Sequence, residues 1–164
     1  MIIRFGILTL SDRSSRGERA DASRPALVSL IQAEGWSVVK QDLLPDEESA
    51  IREVLISWAD SSELDVILTT GGTGFSPRDV TPEATRAVMD REAPGLAEAM
   101  RAASLSVTPH AMLSRIVTGI RKKALIINLP GSPKGAVENL QVVIPVLPHA
   151  VQLLHEDPAS ESTH

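Results

Sequence analysis

Short apolar runs alternate along this chain with stretches in which apolar residues recur every three or four positions. Ile2 to Leu10 is β-branched and apolar and stops at Ser11-Asp12, which predicts a buried first strand running into a polar loop. The charged segment SDRSSRGERADAS that follows is expected to be a long, mobile connection. Pro25 then sits where a first helical turn tolerates it, Ala26, Leu27, Leu30 and Ile31 share one helical face, and Gly35 supplies a stop. Trp36 to Leu44 reads as a second strand broken by Pro45-Asp46, and Ile51, Val54, Leu55 and Trp58 fall on one face of a second helix. Leu64 to Thr70 is apolar almost throughout, the pattern of a strand covered on both faces.

Beyond it, Pro82 to Arg91 and Ala93 to Ser104 have helical patterning, and Lys123 to Leu129 is another continuous apolar strand stopped by Pro130-Gly131-Ser132-Pro133. A last helical region, Ala136 to Leu154, is interrupted by Pro145 and Pro148. Strands alternating with helices predict an α/β fold, a three-layer sandwich with a mainly parallel sheet and helices on both faces. The expected organisation is a single domain over residues 1–155 and a flexible C-terminal tail over residues 156–164, where EDPASESTH has little to bury.

Composition narrows this picture. With 164 residues, 43% of them hydrophobic, 2% aromatic and none cysteine, the interior must be aliphatic and disulfides are excluded. A net charge of −5 argues against a nucleic-acid partner, which needs a surplus of clustered Lys and Arg, but leaves room for a locally basic site for a small anion. The N-terminal run is too short for a signal-peptide core and no apolar run approaches the roughly 18 residues of a membrane span, so a cytoplasmic protein without a membrane partner is expected.

The stretch ILTTGGTGFSPRDVTPEAT carries the chemistry. Gly71, Gly72 and Gly74 remove Cβ atoms, so backbone N–H groups can approach an anion, and Thr73 adds a hydroxyl. The helix that follows aims its N-terminus at the loop, with Thr81 as the expected N-cap and Pro82 in the first turn. The pattern is neither a Walker loop nor a GxGxxG fingerprint. Asp46 and Asp79 each have a local explanation as helix caps. Both leave strands at the sheet edge that carries the glycine loop, and one or two carboxylates are what Mg²⁺ on a polyphosphate requires. Ser11-Asp12 and Pro130 to Lys134 leave strands at the same edge. Arg115, Arg121, Lys122 and Lys123 read as a solvated basic face, and His110 and His149 stand too far from any other His or Cys to suggest zinc.

Three motifs, TTGGTGFSPRDVTPEAT, PGLAEAMRAASLSVTPHAMLSR and ALIINLPGSPKG, resemble the molybdopterin adenylyltransferase family, and the resemblance runs from about Ile3 to His155. The first motif is shared with paralogues, and the second resembles the adenylylating branch. The resemblance implies a nucleotidyltransferase of molybdenum cofactor biosynthesis: AMP passes from ATP to the terminal phosphate of molybdopterin, with release of pyrophosphate, on a homotrimer that uses Mg²⁺ and serves a molybdenum insertase. It implies Asp46, Asp79 and Ser104 as catalytic, with Asp46 and Asp79 holding Mg²⁺. It also implies Ser11, Asp12, Gly71, Gly72, Thr73, Gly74, Arg78, Pro130, Gly131 and Ser132 as the nucleotide and molybdopterin contacts. Ser132 stands where the family often carries an asparagine or glutamine. The alternatives are a paralogue that binds molybdopterin without transfer, and a nucleotide pyrophosphatase of the competence-damage type.

Overall fold

The computed structural model describes residues 1–163. Its centre is a six-stranded sheet in the order β2-β1-β3-β6-β5-β4. These strands are β1 (Arg4–Leu10), β2 (Ser37–Leu44), β3 (Val66–Thr70), β4 (Arg91–Glu92), β5 (Thr118–Arg121) and β6 (Ala124–Leu129). β2, β1, β3 and β6 run parallel, while β5 and β4 add an antiparallel edge. That edge was not expected from the sequence. β5 and β6 are joined by a tight turn at Lys122-Lys123, where Lys122 takes a positive φ of 52° in place of the Gly or Asn that signals a hairpin.

Helices cover both faces. α2 (Ser23–Ala33), α5 (Pro94–Leu105), α6 (Pro133–Val143) and α7 (Leu147–Leu154) share one core with Phe5, Ile7, Leu68 and Ile127. α3 (Glu48–Asp60) and α4 (Thr81–Val88) pack on the other face against Leu8, Ile67 and Ile126. Successive strand residues therefore serve opposite cores, which is why β3 and β6 are apolar at nearly every position before their ends. Each buried Leu, Ile or Val contributes about 1.5–3 kcal/mol relative to exposure. Phe5 stacks on Trp36, with ring centroids 5.7 Å apart.

Several local expectations change. The charged segment after β1 contains a short helix, α1 (Asp12–Ser15), whose N-cap Ser11 accepts a hydrogen bond from Ser14 N–H at 3.1 Å. Within the expected C-terminal tail, residues Pro158–Thr163 form a 3₁₀ helix with Ser160 buried, and residue 164 lies outside the described residues. Pro133–Leu154 is nearly continuous helix, passing through a 3₁₀ turn at Ile144–Val146, and is long and apolar enough to cross a membrane by length and composition. Its inner face, including Leu140, Val143, Leu147 and Val151, packs in the first core.

Candidate functional site

The parallel order reverses between β1 and β3, because β1 leads outward to β2 while β3 lies on its other side. Loops leaving such a switch point part and leave a crevice at the strand C-termini. A cleft of about 830 Å³ lies there, lined by Ser11, Asp12, Asp46, Gly71, Gly72, Arg78, Asp79, Gly131 and Ser132, with Arg13, Arg16 and Arg19 from the segment after β1. A second cavity of about 310 Å³ adjoins it, lined by Thr73, Gly74, Arg101, Ser104, Ser114, Pro130, Ser132 and Asn139. Ser132 belongs to both, and the GGTG loop forms the wall between them.

Two glycines are required by the backbone. Gly71 has φ 102°, and a Cβ on it would lie 2.2 Å from the Leu10 carbonyl oxygen. Gly72 has φ 68°, and its Cβ would lie 2.4 Å from Thr81 Oγ1 and 2.9 Å from Asp46 Oδ1. Thr81 is therefore not the N-cap of α4; Val80 holds that place, and Thr81 turns inward. Its Oγ1 donates to the Gly71 carbonyl at 2.9 Å and its N–H to the Gly72 carbonyl at 3.1 Å. The helix start thus fixes the glycine turn from below.

The aspartates do not cap the helices that follow them. Asp12 and Asp46 form a reciprocal pair: Asp12 N–H donates to Asp46 Oδ2 and Asp46 N–H to Asp12 Oδ1, both at 3.0 Å. Arg78 forks onto both oxygens of Asp12 at 3.0 Å and reaches Glu47 at 2.8 Å. The Arg78 hydrogen bond, then the Asp46 amide, hold the Asp12 carboxyl below its ordinary range, and Asp12 and Glu47 raise Arg78. Asp46 goes the other way. Burial pushes its carboxyl up and the charges of Asp12 and Asp79 add to this, against the Asp12 amide. Asp79 Oδ2 accepts from Gly74 N–H at 3.1 Å and Ser76 N–H at 3.0 Å, so this side chain organises the loop from inside.

Each cavity is lined by a residue with a buried side-chain oxygen that has no hydrogen-bond partner: Asp46 Oδ1 beside the larger and Ser114 Oγ beside the smaller. Buried polar groups are rarely left unpaired, and such an atom beside a cavity fits a ligand that completes it. Asp46 Oδ1, an anionic oxygen with no donor, fits a cation. Among the described residues no group of three or more His, Cys, Asp or Glu could hold a metal by itself. One or two carboxylates completed by phosphate oxygens is the usual Mg²⁺ arrangement.

Ser104 lies apart from both aspartates, in the smaller cavity, where Asn139 Nδ2 donates to its Oγ at 2.9 Å. Ser132 Oγ accepts from Gly135 N–H at 3.1 Å and caps α6 at the junction of the cavities. Pro130 lends its carbonyl to Thr70 Oγ1 at 2.8 Å. Arg115 is not a solvated surface charge. Its guanidinium donates to the carbonyls of Gly74 at 2.7 Å and Asp79 at 2.8 Å and to both Glu83 oxygens at 3.0 and 2.9 Å. Arg121 is likewise paired, with Asp60. Nothing in the spacing of Arg115 or Asn139 signals these roles, because their partners lie 41 and 35 residues away.

A family profile described as "Probable molybdopterin binding domain" matches residues 6–149. The chain belongs to this molybdopterin-binding domain family. Within the family it is 46% identical to gephyrin of Dictyostelium discoideum over 94% of this chain and 23% of that protein, so it spans about a quarter of that relative's length. It is 42% identical to the molybdopterin adenylyltransferase of Helicobacter pylori strain J99, covering 93% of this chain and 88% of that one. The crystal structure of the molybdopterin biosynthesis enzyme MoaB from Thermus thermophilus superposes with a TM-score of 0.90 at 54% identity, covering 96% of this chain and 99% of that one. The molybdopterin-binding domain fold thus accounts for the sheet, with the larger cleft at its switch point and the smaller cavity beside it, under the loops that follow β3 and β6.

Proposed function

We propose that this protein is a molybdopterin adenylyltransferase, a nucleotidyltransferase that moves AMP from ATP to the terminal phosphate of molybdopterin in molybdenum cofactor biosynthesis. The observation that carries the reading is the pair of cavities meeting at Ser132 and the GGTG loop, each lined by a residue with an unsatisfied buried side-chain oxygen. The likeness to the named adenylyltransferase over most of both chains supports it.

The larger cleft is assigned to ATP. Its arginines and loop amides offset phosphate charge, and its volume suits a nucleotide. The smaller cavity is assigned to the pterin, with Ser104, held by Asn139, and Ser114 as polar contacts among apolar walls. The pterin phosphate is a monoester with a second pKa of about 6, so it is largely dianionic at neutral pH and needs no protein base. One of its oxygens forms a bond to the α-phosphorus of ATP, the bond from that phosphorus to the bridging oxygen breaks, and pyrophosphate leaves with the electron pair. The protein's work is positioning and charge neutralisation. Asp46, with its unpartnered Oδ1, and Asp79 would hold Mg²⁺, which when bound neutralises charge on the phosphates. Arg78 is poised to leave Asp12 and Glu47 for an anionic phosphate.

The proposal extends, on the resemblance alone, to a cytoplasmic homotrimer that passes its product to a molybdenum insertase; sedimentation equilibrium checks the trimer. The reaction itself is tested by incubating the protein with ATP, Mg²⁺ and molybdopterin and identifying the pterin product by mass. Adenylylated molybdopterin supports the assignment. Unmodified molybdopterin held tightly by the protein would overturn it in favour of a binding paralogue.

A further inference from the structure

Arg115 lines neither of the two cavities; it stands behind the wall that separates them. Its backbone N–H donates to the Thr73 carbonyl at 2.8 Å, Nε to the Gly74 carbonyl at 2.7 Å and Nη2 to the Asp79 carbonyl at 2.8 Å. Nη1 is anchored on both carboxylate oxygens of Glu83 in α4. One rigid guanidinium therefore ties together the two ends of the loop from Gly74 to Asp79, while the Asp79 carboxylate ties Gly74 and Ser76 from inside. Thr73 and Gly74 face the smaller cavity, and Ser76, Arg78 and Asp79 face the larger. The segment whose shape Arg115 sets is thus the one that both cavities share.

We propose that Arg115 is a positioning residue: by holding the Gly74 and Asp79 carbonyls from behind, it fixes the GGTG loop so that the two cavities present their occupants in register. This rests on the reading of the cavities as the ATP and molybdopterin sites. The planar fork of Arg reaches two carbonyls at a set spacing, whereas Lys offers a single flexible point charge that cannot span both. A misplacement of about 1 Å between reacting groups costs about 100-fold in rate.

The experiment compares wild type with Arg115→Lys, Arg115→Ala and Glu83→Gln. In Arg115→Lys, kcat for adenylyl transfer is expected to fall about 10- to 100-fold while the KM for ATP changes less than about threefold, since the cleft contacts themselves remain. Millimolar guanidinium is expected to restore part of the kcat of Arg115→Ala. Glu83→Gln keeps both carbonyl contacts and should lose less than about threefold, because the Gln side-chain oxygen still accepts from Nη1 and only the charge of a half-buried pair is lost. Independently of activity, amide hydrogen exchange at Gly74 and Ser76 in Arg115→Lys should quicken by about tenfold or more, with β3 and β6 amides unchanged. Unchanged exchange at Gly74 and Ser76, or protection lost evenly across the whole sheet, would overturn the proposal, as would wild-type kcat in Arg115→Lys. If the wild type transfers no AMP, the functional reading fails, and local exchange still decides whether Arg115 holds the loop.

Discussion

Replacing Gly71 by alanine should be among the most damaging single-methyl changes in this protein. Gly71 combines a φ of 102° with a Cβ position 2.2 Å from the carbonyl oxygen of Leu10, and the obstacle is backbone at the end of β1 that cannot rotate away. Left-handed backbone costs a non-glycine residue about 1–2 kcal/mol, and forcing a methyl group into a packed site costs about 1–3 kcal/mol. Together these give a loss of about 2–5 kcal/mol. At about 2–4 °C per kcal/mol for a chain of this size, the melting temperature should fall by about 4–20 °C. Gly95, in the first turn of α5, is the internal control. A Cβ there meets nothing within 4 Å, and Gly95→Ala should gain up to about 1 kcal/mol from chain entropy. Urea unfolding followed by the fluorescence of Trp58 and Trp36, both packed against the cores, measures both variants in the same way. Equal midpoints for Gly71→Ala and wild type would refute the argument that close approach to β1 is what demands glycine here.

Three further outcomes are expected. Because the Asp46 carboxyl is raised in the fold by burial and neighbouring charge, its ionisation disfavours folding above that raised value. Asp46→Asn should therefore be more stable than wild type at neutral pH, with the gain vanishing as pH falls through the window between the raised folded value and the ordinary one, while adenylyl transfer is lost. Asp65 has the opposite sign: burial pushes its carboxyl up, but the hydrogen bonds and charge of Arg4 outweigh it and leave it lowered. Its stabilisation is present above the ordinary carboxyl range and lost as pH falls through the lowered value. Asp65→Asn, read by thermal melts between acid and neutral pH, should cost roughly 1–3 kcal/mol at pH 7, between exposed and buried ion pairs, since Arg4 is 39% exposed and Asp65 5%. Ser104→Ala should leave the melting temperature within a few degrees but raise the KM for molybdopterin, because it removes only the Asn139 hydrogen bond and a polar contact in the smaller cavity.

The parallel part of the sheet was legible because β1, β3 and β6 are aliphatic runs with polar stops. The loops at those stops, with the Pro45-Asp46 break after β2, carry the residues of the larger cleft, which is why Ser11, Asp12, Asp46, Gly71 and Asp79 could be grouped without a structure. The antiparallel edge was not legible: β4 has two residues, β5 has four, and the turn from β5 to β6 lacks glycine. The purpose of individual polar residues was also hidden. Asp79 and Thr81 carry local signatures of helix caps, yet both spend their side chains on the glycine loop. Arg115 looked like one more surface charge because its acceptors are carbonyls, which sequence does not mark.

The most direct test of the account is pyrophosphate release measured against molybdopterin concentration at fixed ATP and Mg²⁺. One pyrophosphate per adenylylated molybdopterin, none without the pterin, and loss of the signal in Asp46→Asn are predicted. Pyrophosphate or AMP released at the same rate without molybdopterin, or molybdopterin bound with no pyrophosphate at all, would contradict adenylyl transfer across the two cavities.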